Sequence, residues 1–267
     1  MMSPSDLLAS NIKQRLAAAV DRRDPSHITM SSLGHCARQL GYRYHGVDGT
    51  PLSWRTMMIF NDGDRAHNQL REFIITSLKD VSSCYELVDQ EREVSYLGIT
   101  GHVDGVLAHR DNACNNITHM PMLLEVKSMN DRGFKELVKT GEIGKEYRCQ
   151  VSGYLAGLGL TKAVILAKNK NTGDLYEAQY TIETDLLRER MAVIEAITLS
   201  SGPEDLSREY GPNSRGNLPW QCGYCPFVKL CWREYEVLEN KEHSYKINSK
   251  LWKKEALSAQ ELSDVDS

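Results

Sequence analysis

MPMLLEVKSM (120–129) is the stretch on which the fold turns. It is a short apolar run with β-branched content, the pattern of a buried strand. Alternation along a strand puts Glu125 and Lys127 on the same face. Upstream, ELVDQEREVSYL and GITGHVDGVLA also carry strand patterning, and Asp104 falls at the end of the second of these. Two carboxylates brought together by adjacent strands make a hard-oxygen site suited to Mg²⁺ or Mn²⁺. Such an ion polarises a phosphoryl oxygen and lowers the pKa of bound water. A lysine two residues after Glu125 suits orienting that water and stabilising charge on a pentavalent phosphorus. Taken alone, an Asp and an E-x-K read more often as charges flanking an edge strand.

Working outward, SPSDLLASNIKQRLAAAV reads as an amphipathic helix capped by Ser3 or Ser5, and Ser31 and Ser32 open a short helix carrying Cys36. A long helix is expected over 54–78, interrupted by Gly63. HRDNACNNITHM is a polar excursion, read as a hairpin loop that either touches DNA or decorates the surface. DRGFKELVKTG and KEYRCQVSGYLAGLG look helical. AVILAKN and LYEAQYTI read as two further strands separated by a KNTGD turn. ETDLLRERMAVIEAITLS is a strong amphipathic helix, and the Gly-, Pro- and Ser-rich 201–220 is a linker to a cysteine cluster. The order predicts an α/β core, a mixed central sheet flanked by helices, with a helical N-terminal lobe. A single domain is expected over 1–240, and 241–267 reads as a flexible tail.

Composition sets bounds on the class. The chain has 267 residues, 41% hydrophobic and 25% charged, which is ordinary for a globular protein. No run approaches a membrane span and no secretory leader is read, so the cytoplasm is the expected compartment. Seven cysteines in that setting argue for metal binding over a disulfide framework. A net charge of −4 neither supports nor excludes nucleic acid, because an acidic catalytic site and a local basic groove can coexist. There is no G-x-x-x-x-G-K-[ST], so any DNA unwinding falls to a partner.

Two helical features add to the acidic pair. His67, in GDRAH, stands four residues after Gly63, and an imidazole there would complete a metal shell and favour Mn²⁺. Read alone, a helical histidine is more often a surface residue. Gln150 and Tyr154, spaced i, i+4, share one helical face. An amide and a phenol there suit a scissile phosphate and a nucleotide, although Tyr154 alone is equally a core residue.

The late cysteines, CGYCPFVKLC (222–231), pack three thiols into ten residues. Three thiolates do not complete a tetrahedral metal or cluster site, and Cys36 is the best-placed fourth ligand to Cys222, Cys225 and Cys231. Zinc ribbons usually supply two C-x-x-C knuckles. A single early Cys with a late C-x₂-C-x₅-C, and Pro226 directly after Cys225, is closer to iron–sulfur ligation. Cys84, Cys114 and Cys149 have no partner spacing and read as ordinary thiols.

In chain order the set runs G-x-x-x-H, V-D-G, E-V-K, Q-x-x-x-Y, with Cys36 ahead and C-x₂-C-x₅-C behind. This resembles the PD-(D/E)XK nuclease superfamily in its RecB-like branch, specifically the CRISPR-associated exonuclease Cas-four family and iron–sulfur nuclease domains of the AddB type. The resemblance covers about Ser31 to Trp232. It implies a restriction-endonuclease-like core and makes His67, Asp104 and Glu125, with the Val126 carbonyl, metal ligands. Lys127 becomes the water-positioning residue, Gln150 and Tyr154 the substrate-contacting pair, and the four cysteines the ligands of a [4Fe–4S] cluster. The chain departs from the pattern at Val103, where the superfamily has proline. The implied activity is a Mg²⁺- or Mn²⁺-dependent exonuclease on single-stranded DNA ends, 5′→3′. Its setting would be recombination, repair or CRISPR spacer acquisition, with the proteins of those processes as partners. Two alternatives stand beside it: a catalytically silent DNA-end or partner-binding module of the same fold, and a zinc-stapled interaction protein.

Overall fold

A computed structural model of the chain describes residues 10–15, 27–51, 53–80, 85–109, 120–241 and 243–247. Residues 10–15 are helical. In chain order there follow α1 (Ala37–Tyr44), α2 (Trp54–Asp80), β1 (Tyr85–Val88), β2 (Glu93–Tyr96), β3 (Ile99–His102), β4 (Gly105–His109) and β5 (Met122–Met129). Then come α3 (Asp131–Thr140), α4 (Lys145–Leu158), β6 (Lys162–Asn169), β7 (Leu175–Thr181) and α5 (Thr184–Leu199). The short helices α6 (Trp220–Gly223) and α7 (Val228–Cys231) precede β8 (Val237–Lys241) and β9 (Ser244–Ile247). The chain divides into two compact units. One comprises Met1–Asp21, Ile28–His35 and Ser53–Ala192, and the other Arg22–His27, Cys36–Leu52 and Val193–Ser267.

The first unit is built on a five-stranded sheet in the order β1-β4-β5-β6-β7. Its pairs are antiparallel except β5 with β6, which run parallel. A parallel neighbour needs a crossover, and α3 and α4 supply it. Asn130 starts α3 by accepting from Gly133 N at 2.9 Å, and Gly141 ends it at φ 71°, the left-handed conformation glycine adopts freely. The expected α/β class, a mixed sheet flanked by helices, is the fold observed.

β5 is buried over residues 123–127, as its apolar run predicts. Its two faces differ. Leu124 and Val126 pack with Leu70 of α2, alongside Ile74, Leu87, Leu107 and Leu166, each such side chain contributing about 1.5–3 kcal/mol on burial. The alternate positions, Glu125 and Lys127, meet α4 instead. Helix α2 runs unbroken through Gly63, where the sequence predicts an interruption. A Cβ there would meet nothing within 4 Å, so the residue costs helix propensity, about 1 kcal/mol, and no packing.

Where two strands were expected before β5 there are four. β2 and β3 form a separate two-stranded hairpin closed by Leu97 (φ 48°) and Gly98 (φ 83°), the pair of positive φ values a two-residue hairpin turn demands. The polar excursion at 110–119 and most of the N-terminal amphipathic stretch lie outside the described residues, as do Cys84 and Cys114.

In the second unit Cys36 stands at the N-cap of α1, not inside a helix opened by Ser31 and Ser32; those two belong to a single 3-10 turn at Met30–Ser32. The Ala37 amide donates to Glu209 at 2.8 Å, an anion where a helix start favours one. Thr50 N donates to Pro226 O at 2.8 Å, and Tyr42 stacks on Phe227 with ring centroids 5.1 Å apart. The region after 240 is not all tail: β9 pairs with β8, and Ile247 is fully buried with Val228, Trp232 and Tyr235. Residues 248–267 lie outside the description. Ile247→Ala is expected to lower unfolding free energy by about 2–5 kcal/mol in a urea titration. A change below 0.5 kcal/mol would mean that the hairpin contributes no core.

Candidate active site

The site begins where a β ladder ends. β4 pairs with β5 only as far as Gly105 opposite Leu124. Val126, two residues further on, donates its amide to Asp104 Oδ2 at 2.7 Å. The carboxylate thus continues the ladder with a side chain, which fixes it against β5. Asp104 Oδ1 lies 3.5 Å from His67 Nδ1, brought there by α2. Burial pushes the Asp104 pKa up, but hydrogen bonds from His67 and the Val126 amide outweigh it and hold the carboxyl below the usual value.

Beside it, Glu125 and Lys127 form a buried ion pair. Glu125 is 2% exposed, and its Oε1 lies 2.5 Å from Lys127 Nζ. Gln150 closes a triangle, donating to Glu125 Oε1 at 3.0 Å and accepting from Lys127 Nζ at 3.1 Å. Burial and the Asp104 charge raise the Glu125 pKa against the pull of Lys127. Burial works against the Lys127 charge, yet Glu125 overcomes it and lifts the ammonium above the ordinary lysine value. Tyr154, 3% exposed, is hydrogen-bonded to Gln150 and is pushed up first by burial, then by Glu125. Gly101 makes room for it, since a Cβ there would fall 2.8 Å from the Tyr154 hydroxyl.

The structure therefore brings Asp104, Glu125, Lys127, Gln150 and Tyr154 together, with His67 at Asp104. Gln150 and Tyr154 reach the Glu125–Lys127 pair as the i, i+4 spacing predicts, but they lie buried beneath it and do not present a face for DNA. Among the described residues no three His, Cys, Asp or Glu side chains are grouped so as to hold a metal ion. At the acidic site the local reason is visible: Glu125 Oε1 is already taken by Lys127 and Gln150. In kind the donors fit a hard divalent ion, being two carboxylates and an imidazole of which one carboxylate is wholly buried.

Three neighbours escape the sequence reading. Arg71, one helical turn after His67, is ion-paired with Glu91 and lies 3.9 Å from Asp104. Tyr147 sits under the Lys127 ammonium, 4.6 Å from Nζ to the ring centroid. Spacing was the available signal: His67 with Arg71 is i, i+4, and Tyr147 with Gln150 is i, i+3.

All four cluster cysteines lie in the second unit, and each is a free thiol. Burial, then the charges of Cys36 and Cys231, push Cys222 up to about 12. Burial does the same for Cys225, with Cys222, Cys231 and Cys36 adding to it. Cys36 is thus within electrostatic reach of the late trio, although the sulfurs do not form a ready metal cage. Arg208 braces the segment, donating to Cys231 O at 3.1 Å and lying 4.4 Å over the Trp232 ring. Cys149 is buried in α4, consistent with an ordinary thiol.

No protein-family model matches the chain, and no curated protein sequence does. Among solved structures it is similar to an alkaline exonuclease, LHK-Exo, from Laribacter hongkongensis. The identity is 15% over 69% of this chain and 90% of that one, with a TM-score of 0.46. The same exonuclease in complex with dAMP gives 15%, 69%, 90% and 0.45. The structure of SSO0001 gives 16% identity over 86% of this chain and 96% of that one, with a TM-score of 0.39. No described helix is long and apolar enough to cross a membrane.

Proposed function

We propose that this chain is a divalent-metal-dependent deoxyribonuclease, an exonuclease acting on single-stranded DNA ends. One observation carries the reading: His67–Asp104 and Glu125–Lys127–Gln150 meet where the pairing of β4 with β5 ends, with two carboxylates and an ammonium largely withdrawn from water. Burying such charges without purpose is costly. His67, Asp104 and Glu125, with the Val126 carbonyl, are the residues that would hold Mn²⁺ or Mg²⁺, and the ion supplies Lewis acidity and a more acidic water.

The chain's own part is positioning and charge. Hydrolysis consumes one water: its oxygen bonds phosphorus, the phosphoester P–O bond breaks, and the leaving oxygen takes up a proton. Lys127, kept protonated by Glu125, places a positive charge where the phosphoryl oxygens become more negative. Gln150 fixes both members of the pair, and Tyr154 fixes Gln150 from below. These two are positioning residues in this reading.

A second reading, a DNA-end or partner-binding module without catalysis, is favoured by the closed Glu125–Lys127–Gln150 triangle. End-labelled single-stranded DNA incubated with the protein and Mn²⁺ separates the two. Stepwise shortening supports the nuclease, and intact DNA that is nevertheless bound supports the module. We also propose that Cys36, Cys222, Cys225 and Cys231 ligate a [4Fe–4S] cluster, since the four are free, half-buried thiols, and Cys222, Cys225 and Cys231, whose pKa values burial raises, are donors a thiophilic group would stabilise as thiolates. Protein isolated without oxygen is expected to hold iron and acid-labile sulfide, and Cys225→Ser to lose colour, iron and solubility together. Zinc in place of iron, or a folded and brown variant, refutes this. Placement in recombination, repair or CRISPR spacer acquisition, and 5′→3′ polarity, extend the same proposal.

A further inference from the structure

Arg71 is the least accounted-for charge in the first unit. Its side chain is 15% exposed, and its Nε is buried with no hydrogen-bond partner among the described residues. One terminal nitrogen is ion-paired with Glu91, and the same nitrogen lies 3.9 Å from Asp104 Oδ1. A guanidinium presents five N–H donors in a fixed fork, and a buried donor left unmade carries a desolvation penalty. Glu91, by contrast, is 56% exposed. It lies on the connection between β1 and β2, where both Asp89 and Glu91 hold the left-handed backbone at φ 53°. Two non-glycine residues in that conformation within three positions mark a segment held against its local preference.

We infer that Arg71 is the phosphate-holding residue of this site, and that Glu91 occupies the phosphate's place at rest. Carboxylate and phosphate are alternative partners of the same guanidinium fork. Glu91, exposed and on a connecting segment, is the partner able to leave. Asp104, tied to the Val126 amide, is not. A DNA phosphate taking the Glu91 position sits beside Asp104 and His67, and the fork then has an anion broad enough to reach the unpaired Nε. The inference rests on the nucleic-acid reading above and deepens it: the bound chemistry is a phosphate of a single strand.

Binding measured without a divalent ion keeps this apart from catalysis. Fluorescence anisotropy of a labelled, 5′-phosphorylated single-stranded oligonucleotide in EDTA, over a range of salt, would compare wild type with Arg71→Gln, Arg71→Lys and Glu91→Gln. Arg71→Gln is expected to weaken binding about 10-fold or more and to lower the slope of log affinity against log salt by about 0.7, one single-strand phosphate contact. Arg71→Lys should keep the slope and recover part of the affinity. Glu91→Gln should tighten binding several-fold, because the competing anion is gone. A purely structural ion pair predicts the opposite: Arg71→Gln and Glu91→Gln lose thermal stability alike, with the salt slope unchanged. That result overturns the assignment, as does a wild type that binds no DNA. Wild-type binding with this pattern but no shortening of DNA in Mn²⁺ leaves Arg71 in place and removes only the nuclease reading. If Arg71→Gln does not fold, Arg71→Lys and Glu91→Gln decide by the same criteria.

Discussion

Asp104→Ala is expected to reduce DNA hydrolysis on the order of 10³-fold, the largest catalytic loss of any single change in this site. The side chain has two duties that different substitutions separate. One is its charge, set between His67 and Lys127; the other is its acceptance of the Val126 amide at the end of the β4–β5 ladder. Asp104→Asn keeps an oxygen for that amide and loses only the charge, so its activity should fall as far while its denaturation midpoint stays near wild type. Asp104→Ala loses both, and the orphaned amide should cost a further 1–3 kcal/mol or so of stability. Rates on end-labelled DNA with Mn²⁺, set beside urea titrations, test this. Equal activity in wild type and Asn variant would remove Asp104 from the chemistry.

Lys127→Met carries the largest expected stability effect. It leaves Glu125 ionised at 2% exposure with its ammonium gone, and stranding one member of a buried pair costs about 3–5 kcal/mol. Glu125→Gln with Lys127→Met removes both charges and should recover most of that loss. The non-additivity is the signature. Acid should narrow the gap between wild type and the single variant. The Glu125 pKa is raised in the folded chain and rises further without Lys127, so the variant's folded state binds more protons than its unfolded state between the ordinary Glu value and the raised one. Its stability therefore climbs as pH falls through that window. On the alkaline side the Lys127 contribution, whose folded pKa is raised, is fully present below the ordinary lysine value and fades only above it. A single-variant cost under 1 kcal/mol, unchanged by pH, would show that the pair is not a coupled buried unit.

Much of this site is legible in the sequence because its residues sit on regular elements with simple periods. Alternation on β5 puts Glu125 and Lys127 on one face, and the helical repeat of α4 puts Gln150 and Tyr154 on another. What is missed depends on encounters between distant segments. Arg71 gains meaning only when Glu91 is delivered by a strained connection 20 residues away. Tyr147 matters only once Lys127 is seen to reach it. The β8–β9 hairpin hides because its outward positions are mostly polar or charged and its single buried anchor, Ile247, lies inside what reads as a tail. The break expected at Gly63 fails for a plainer reason, since nothing packs there to exploit the missing side chain.

The second unit draws on residues near both ends of the sequence, with the whole of Ser53–Ala192 inserted between its pieces. Cys36 and Cys222 are 186 positions apart. At ribosomal speeds of about 5–20 residues per second, the early thiol emerges roughly ten to forty seconds before the three it would join in the proposed cluster. For that interval it is a thiol without its proposed co-ligands on a nascent chain, open to oxidants and stray metal, so if the cluster forms, the yield of loaded protein should depend on what the cell does during translation as much as on the finished fold.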